Sequence, residues 1–256
     1  QHSADRGELM ALVKLLGQII AAVIVVQSGM LIDFVNIPFV GYHEFSWWLS
    51  YPLTIFWIVV VMNAINLIDG LDGLASGVSS IALTSMLVMA VFQFQTPLAI
   101  ALCVILLAGT IGFLFFNIHP AKIFMGDTGA LFIGYVIALI SITGLFKSLT
   151  LFSLILPVVI LGVPIFDTVF AIIRRLVKGQ KISTPDKFHL HHCLMALGFS
   201  HRATVNIIYL ISICFAAAAI VLSKSVMWGS LLIICLLLVM MQFTAEMIGL
   251  WKNRKT

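Results

Sequence analysis

Residues 51–77 read YPLTIFWIVVVMNAINLIDGLDGLASG. A nearly unbroken apolar run passes into Asn63 and Asn66, then into two Asp-Gly pairs, Asp69-Gly70 and Asp72-Gly73. The apolar part is the kind of segment that crosses a bilayer, and the polar end marks where it leaves. The rest of the chain has the same character. Of 256 residues, 62% are hydrophobic and only 9% are charged, and the mean hydropathy is +1.17. Too few polar side chains remain to build the shell of a soluble protein of this size. The long apolar runs do not alternate in polarity, which excludes a transmembrane barrel. The expected fold is all-α: a polytopic bundle of transmembrane helices.

The apolar runs predict about eight spans, near 9–27, 51–67, 74–92, 98–116, 128–145, 150–173, 203–221 and 227–249. The second is short for a span, so it should tilt little or thin the bilayer. Pro157 and Pro164 should bend or open the sixth. Cys103, Cys193, Cys214 and Cys235 are scattered, with no metal spacing, and read as small apolar fillers.

The basic residues are unevenly placed. One side of the bundle receives Arg6, Lys122, Arg174, Arg175, Lys178, Lys181, Lys187, Arg202, Lys252, Arg254 and Lys255, whereas the other receives Lys147 and Lys224. Lys14 lies within the first span. The positive side is expected to be cytoplasmic. The connections 69–73, 117–127 and 174–202 then share that face, and 28–50 lies outside with Trp47, Trp48 and Tyr51 as an interfacial belt.

Three polar constellations therefore fall on one face. Asp69 and Asp72 are three residues apart, which on a helical turn places both carboxylates on one side. The glycines after them suit either close approach of a phosphate or an interhelical turn. In FMGDTG, residues 124–129, Asp127 is either an N-cap or a carboxylate that holds Mg²⁺ against a pyrophosphate. Asn117 could present both amide groups to a heterocycle, and Phe124 a stacking face. In PDKFHLHH, residues 185–192, His189, His191 and His192 suit phosphate binding or proton transfer, or simply an exposed basic loop beside anionic lipid. The spacing does not supply a zinc pattern. Asp167, near the end of the sixth span, is a candidate for a buried ion pair or a functional contact. His119 is expected to be a loop residue.

The segments NAINLIDGLDGLASG, NIHPAKIFMGDTGAL and PDKFHLHHCLMALGFSHR together closely resemble the polyprenyl-phosphate N-acetylhexosamine-1-phosphate transferase family. Within it, the chain is most similar to the bacterial undecaprenyl-phosphate GlcNAc-1-phosphate transferases that begin wall teichoic acid synthesis. The phospho-MurNAc-pentapeptide transferases resemble it less, since HLHH stands where they have three adjacent histidines. The resemblance implies a multi-pass bacterial plasma-membrane enzyme with its active site on the cytoplasmic face. It would transfer GlcNAc-1-phosphate from UDP-GlcNAc to undecaprenyl phosphate, giving undecaprenyl-diphospho-GlcNAc and UMP, with Mg²⁺ or Mn²⁺ required.

By the same resemblance Asp127 is the metal ligand, and Asp69 helps organise the polar centre. Asp72 contacts the uracil side of the nucleotide, and Asn117 and Phe124 match nucleotide-binding positions. His189, His191 and His192 match the loop on the diphosphate or sugar side, with His191 and His192 also placed among the catalytic residues. The family carries two adjacent aspartates before this first span. In SADRGELMALVKLLGQ, Asp5 matches the second, and Ala4 stands at the first. In one family mechanism an aspartate of this pair deprotonates the acceptor; in another a covalent enzyme-phosphate forms. Both stay open here.

The start, QHSADRGEL, and two upstream family spans not found before it lead to the expectation of one transferase domain over 1–256 that is N-terminally incomplete, with 174–202 as its histidine-containing loop. Expected partners are UDP-GlcNAc, undecaprenyl phosphate and the bilayer, with no nucleic acid, and a homodimer is an allowed assembly. The competing functions are a polyprenyl-diphosphate phosphatase, a transporter and a non-catalytic scaffold. Labelled UDP-GlcNAc separates the first, because a phosphatase ignores the nucleotide sugar. A transporter would need polar residues along the spans, whereas here they collect at one face.

Overall fold

A computed structural model describes residues 2–37, 41–145, 155–177, 179 and 189–224. They form α1 (His2–Gln27), a two-stranded hairpin of β1 (Phe34–Ile37) and β2 (Gly41–Glu44), α2 (Trp47–Ile68), α3 (Leu74–Met89), α4 (Pro97–Asn117), α5 (Gly126–Ile140), α6 (Ile155–Ile160), α7 (Gly162–Val177), α8 (Leu190–Ala196) and α9 (His201–Leu222). Single π-helical turns, Ala90–Phe94 and Ser141–Leu145, continue α3 and α5 and lie against each other.

Five of these segments are long and apolar enough to cross a membrane: Trp47–Ile68, Leu74–Gln93, Pro97–Asn117, Gly126–Leu145 and His201–Leu222. The 21 residues of α4 reach about 31 Å at 1.5 Å per residue, the depth of a bilayer core. Large apolar side chains on the outside, such as Ile24, Phe56, Ile105, Phe115, Phe132 and Leu210, are exposed. Around a soluble domain they would form an aggregation surface; here they face lipid. The protein is a polytopic helical membrane protein.

The structure corrects several boundaries. α2 starts at Trp47, with Pro52 inside it, and has 22 residues. It therefore spans without any thinning of the bilayer. The sixth expected span is instead two helices, α6 and α7, that meet at Leu161. Pro164, the third residue of α7, has no N–H to donate back to the Ile160 carbonyl across that junction, and Pro157 lies within α6. The expected external connection contains the hairpin, whose short strands pair Phe34 with Glu44 and Ile37 with Gly41. The expected 174–202 loop begins within α7 and includes α8. The eighth expected span lies outside the described residues.

The centre of the bundle is α2 packed along α5, with α1 and α7 also against α2. The close approach depends on Gly134. A Cβ there would stand 2.7 Å from the Met62 Cα and 3.0 Å from the Val61 carbonyl oxygen, which is backbone and cannot yield. Ile58, Ile65, Ile137 and Ile140 fill this contact and are fully buried. The polar groups it encloses are paired, as where the Trp57 indole donates to Ser141 Oγ at 2.8 Å. A second set is α3 held between α4 and α9.

α2 and α4 run toward one end of the bundle, and α3, α5 and α9 start there. The chain reversals at that end are short, so side chains distant in sequence meet at one level.

Candidate active site

The 69–73 turn is the hub. α2 ends with Asp69 as its C-cap, and Gly73 caps α3 in the left-handed region at φ 79°. Only glycine adopts that conformation without strain. The Gly73 N–H donates to Asn117 Oδ1 at 3.1 Å, and Ser76 Oγ donates to the same oxygen at 2.9 Å. Asn117 Nδ2 donates to the Ile123 carbonyl at 2.9 Å. Asn117 is only 3% exposed. Its amide thus ties the 69–73 turn to the connection before α5. Tyr209 of α9 adds a hydrogen bond to the Gly73 carbonyl.

On one side of the hub lies Asp127, in the first turn of α5. Its carboxylate accepts from Asn66 Nδ2 at 3.1 Å and forms an ion pair with Lys14 of α1. The Asp127 side chain remains 54% exposed. Asp69 feels both its own burial and the nearby Asp127 charge, which push its carboxyl up to about 6. Next to them Asn63 Nδ2 donates to Gln18 Oε1 at 2.6 Å. This side consists of carboxylates and amides: hard oxygen donors, with one lysine.

On the other side lies Asp72. Its Oδ2 is 2.8 Å from His119 Nδ1 and accepts from the Ala121 N–H at 3.2 Å. The His119 hydrogen bond, helped by that N–H, holds the Asp72 carboxyl below the usual carboxylate range. The His119 and His201 rings stack with centroids 4.1 Å apart. Asp72, His119 and His201 have donor atoms within 4.8 Å of one another, a group able to hold a metal ion. Beside them is a cavity of about 420 Å³ whose wall includes Arg202, Asn206 and Tyr209.

The histidine segment closes over the hub. His189 Nδ1 is 2.9 Å from Asp167 Oδ2, and the Leu190 N–H donates to Asp167 Oδ1 at 2.9 Å. Asp167, the acidic residue of α7, thus fixes the start of α8. His191 is buried directly against Gly70: a Cβ on Gly70 would stand 2.5 Å from His191 Nε2. Burial, with the neighbouring His192 next, pushes the His191 imidazole down to about 4, so it is neutral at physiological pH. His192 is exposed, with its ring 4.2 Å from that of His191.

All three constellations read from the sequence thus meet at residues 69–73. Phe124 lies in the connection before α5, 76% exposed. Asp5 falls within α1, and its side chain lies outside the described residues, as do Lys178, Lys181 and Lys187. Sequence reasoning missed Lys14, His119, His201 and Tyr209 as members of this region. His119 does lie in a connection, but packed between Asp72 and His201. The one available signal was that HPAK and SHR stand within the same segments as Asn117, Asp127 and the HLHH group.

Carboxylates, amides and histidines from separate connections thus gather at one end of the helical spans of a membrane protein. The chain belongs to glycosyl transferase family 4, whose model matches residues 3–145. It is 53% identical over 246 residues to the Bacillus subtilis (strain 168) protein named "Probable undecaprenyl-phosphate N-acetylglucosaminyl 1-phosphate transferase", a match covering 96% of this chain and 68% of that protein. It is 37% identical to the decaprenyl-phosphate N-acetylglucosaminephosphotransferase of Mycobacterium leprae, over 80% of this chain and 57% of the relative. A phospho-N-acetylmuramoyl-pentapeptide-transferase of Desulforamulus reducens is 36% identical over 81% of this chain and 62% of its own length. The chain spans between a little over half and about two thirds of the length of these relatives.

Proposed function

We propose that the protein transfers GlcNAc-1-phosphate from UDP-GlcNAc to undecaprenyl phosphate, releasing UMP, as the first membrane step of a cell-envelope polymer such as teichoic acid. The observation that carries this is the convergence of Asp69, Asp72, Asp127 and the histidine segment at one end of the helices, in a chain 53% identical to the B. subtilis relative. The excess of Lys and Arg in those connections supports a cytoplasmic site, where a soluble nucleotide sugar is available.

An oxygen of the lipid phosphate forms a bond to the sugar-bearing phosphorus, and the bond from that phosphorus to the bridging oxygen of UMP breaks. Both reactants are anionic, so the site must offset their repulsion and align them. The donors beside Asp127 are carboxylate and amide oxygens, which fit Mg²⁺, with Mn²⁺ as a substitute. Asp127 would hold the ion, with Asn66 orienting that carboxylate and Asp69 adding charge. Bound there, the ion would neutralise phosphate charge and stabilise the leaving UMP. Lys14 supplies a further positive charge at the same carboxylate.

Asp72 sits on the nucleotide side, and Asn117 supports the pocket by fixing the turn that carries Asp72. Phe124 is free to cover a base. His191, neutral and packed on Gly70, orders the turn from above, and exposed His192 faces the diphosphate. His189 acts through Asp167 to set α8. Asp5 is the candidate to accept the acceptor's proton.

The test supplies purified protein in lipid nanodiscs with undecaprenyl phosphate, Mg²⁺ and a panel of labelled UDP-sugars. Transfer yields a lipid-extractable sugar whose mass fits undecaprenyl-diphospho-GlcNAc, with UMP in equal amount. Release of inorganic phosphate from a polyprenyl diphosphate, with UDP-GlcNAc untouched, would replace this function by the phosphatase.

A further inference from the structure

Gln18 lies on α1 and is only 5% exposed although it carries a full amide. It meets the half-buried Asn63 of α2 in a reciprocal pair. Asn63 Nδ2 donates to Gln18 Oε1 at 2.6 Å, and Gln18 Nε2 donates to Asn63 Oδ1 at 3.4 Å. Asn63 Nδ2 also donates to the Val59 carbonyl, one turn back, at 2.8 Å. That second bond fixes which way the Asn63 amide faces. Two amides inside an apolar bundle are unfavourable unless they find each other. Two apolar side chains would pack there without that cost, but they would let one helix slide along the other. A paired amide holds one register.

The register held here is the one that serves Asp127. Lys14 precedes Gln18 by four residues on α1, and Asn66 follows Asn63 by three on α2. Each therefore lies one turn nearer the 69–73 end, on the same face of its helix as the amide. Lys14 pairs with Asp127 Oδ2, and Asn66 Nδ2 donates to Oδ1 at 3.1 Å. The seam between α1 and α2 is thus a ladder of two polar rungs. A slip of α1 by one turn, about 5.4 Å, would break the amide pair and the Lys14 ion pair together. We propose that Gln18 is a positioning residue: its amide pair with Asn63 sets the register of α1 on α2 and thereby brings Lys14 to the Asp127 carboxylate that Asn66 holds from α2.

Gln18 touches neither reactant nor ion. Its effect on the reaction rests on Asp127 as the ion's carboxylate, as proposed above; its effect on register does not. Lys14 is a cation at that carboxylate and opposes a second one. Loosening α1 therefore tightens the binding of a divalent ion, whereas general disorder of the site would weaken it.

The test uses the full chain in lipid nanodiscs, stripped with chelator. A carbodiimide joins a lysine to a carboxylate in direct contact, and peptide mass analysis should find the Lys14–Asp127 crosslink. Its absence in the parent overturns the proposal, and this needs no variant to fold. Gln18→Met with Asn63→Leu removes both amides at similar volume. This double variant should keep the parent's thermal midpoint or exceed it, yet crosslink about fivefold more slowly. Gln18→Asn shortens the reach and should slow the crosslink too; adding Asn63→Gln should restore it. An undiminished crosslink in the folded double variant, or no restoration by the swapped pair, overturns the proposal. Mn²⁺, titrated by its spin resonance, should bind the double variant about fivefold more tightly than the parent. Binding that weakens in step with the thermal midpoint shows a packing role only and also overturns it. Asp127→Asn should abolish Mn²⁺ binding; if it does not, the reading of Asp127 fails, while the crosslink still decides the register.

Discussion

The two sides of the 69–73 turn differ in chemistry although the turn itself is only five residues long. On the Asp127 side an exposed carboxylate meets a lysine and amides. On the Asp72 side a more enclosed carboxylate, 20% exposed, meets imidazoles. The first arrangement leaves oxygen atoms open to an incoming ion or phosphate. The second is tied by short contacts to His119 and the Ala121 N–H, braced by Asn117 and Tyr209, and borders the cavity of about 420 Å³. Under the proposed function, the more exposed side would be where charge changes during transfer, and the more enclosed side where a nucleotide is recognised.

The sharpest way to break this comparison is a pair of isosteric variants. Asp127→Asn should lower kcat by about 100-fold or more, because the charge that holds the ion is gone. Asp72→Asn should act mainly on KM for UDP-GlcNAc, by about tenfold. Steady-state kinetics in nanodiscs distinguish the two. Near-normal metal-dependent turnover by the Asp127 variant, or a kcat loss of equal size in both, would erase the division between the sides.

A smaller effect should separate the histidines above the hub. His191→Gln replaces a neutral ring packed on Gly70 and should lower turnover by about tenfold and the thermal midpoint with it, since a buried polar group changes shape and partners. His192→Gln, at an exposed ring, should change turnover but leave the thermal midpoint within error. Unchanged kinetics in both variants would favour a loop that merely meets anionic lipid headgroups.

The smallest effect is a pH dependence of stability at Asp69. Its raised value means that the folded protein binds the proton more readily than the unfolded chain. This contribution is fully present below the usual carboxylate range and is lost as pH rises through about 6. Asp69→Asn keeps a neutral side chain at every pH. Its thermal midpoint should therefore exceed the parent's at pH 7.5, by a margin that shrinks toward pH 4.5. A margin independent of pH would show that Asp127 and burial do not act on Asp69 as the geometry indicates.

Part of this was legible in the amino-acid order alone. Hydropathy accumulates along contiguous residues, so a long apolar run declares a span whatever surrounds it. The membrane class, most of the helices and the grouping of Asp69, Asp72, Asp127 and the histidines followed from local text. The break at Leu161 was visible as Pro157 and Pro164, but its outcome, two helices in place of one bent span, was not. Trp47 and Trp48 read as an interfacial belt ahead of the span, although the helix already starts at Trp47 and runs through Pro52.

What only the tertiary structure decided is which polar groups meet. Lys14 reaches Asp127 across 113 positions, Tyr209 reaches Gly73 across 136, and His119 reaches Asp72 across 47. No spacing rule carries such pairs, because they are set by how α1, α4 and α9 pack against the ends of α2, α3 and α5. The same packing turned Asn117 inward as a brace and brought His201 beside His119. Composition fixes that a residue must leave water or enter lipid; the directions of packed helices fix what it meets there.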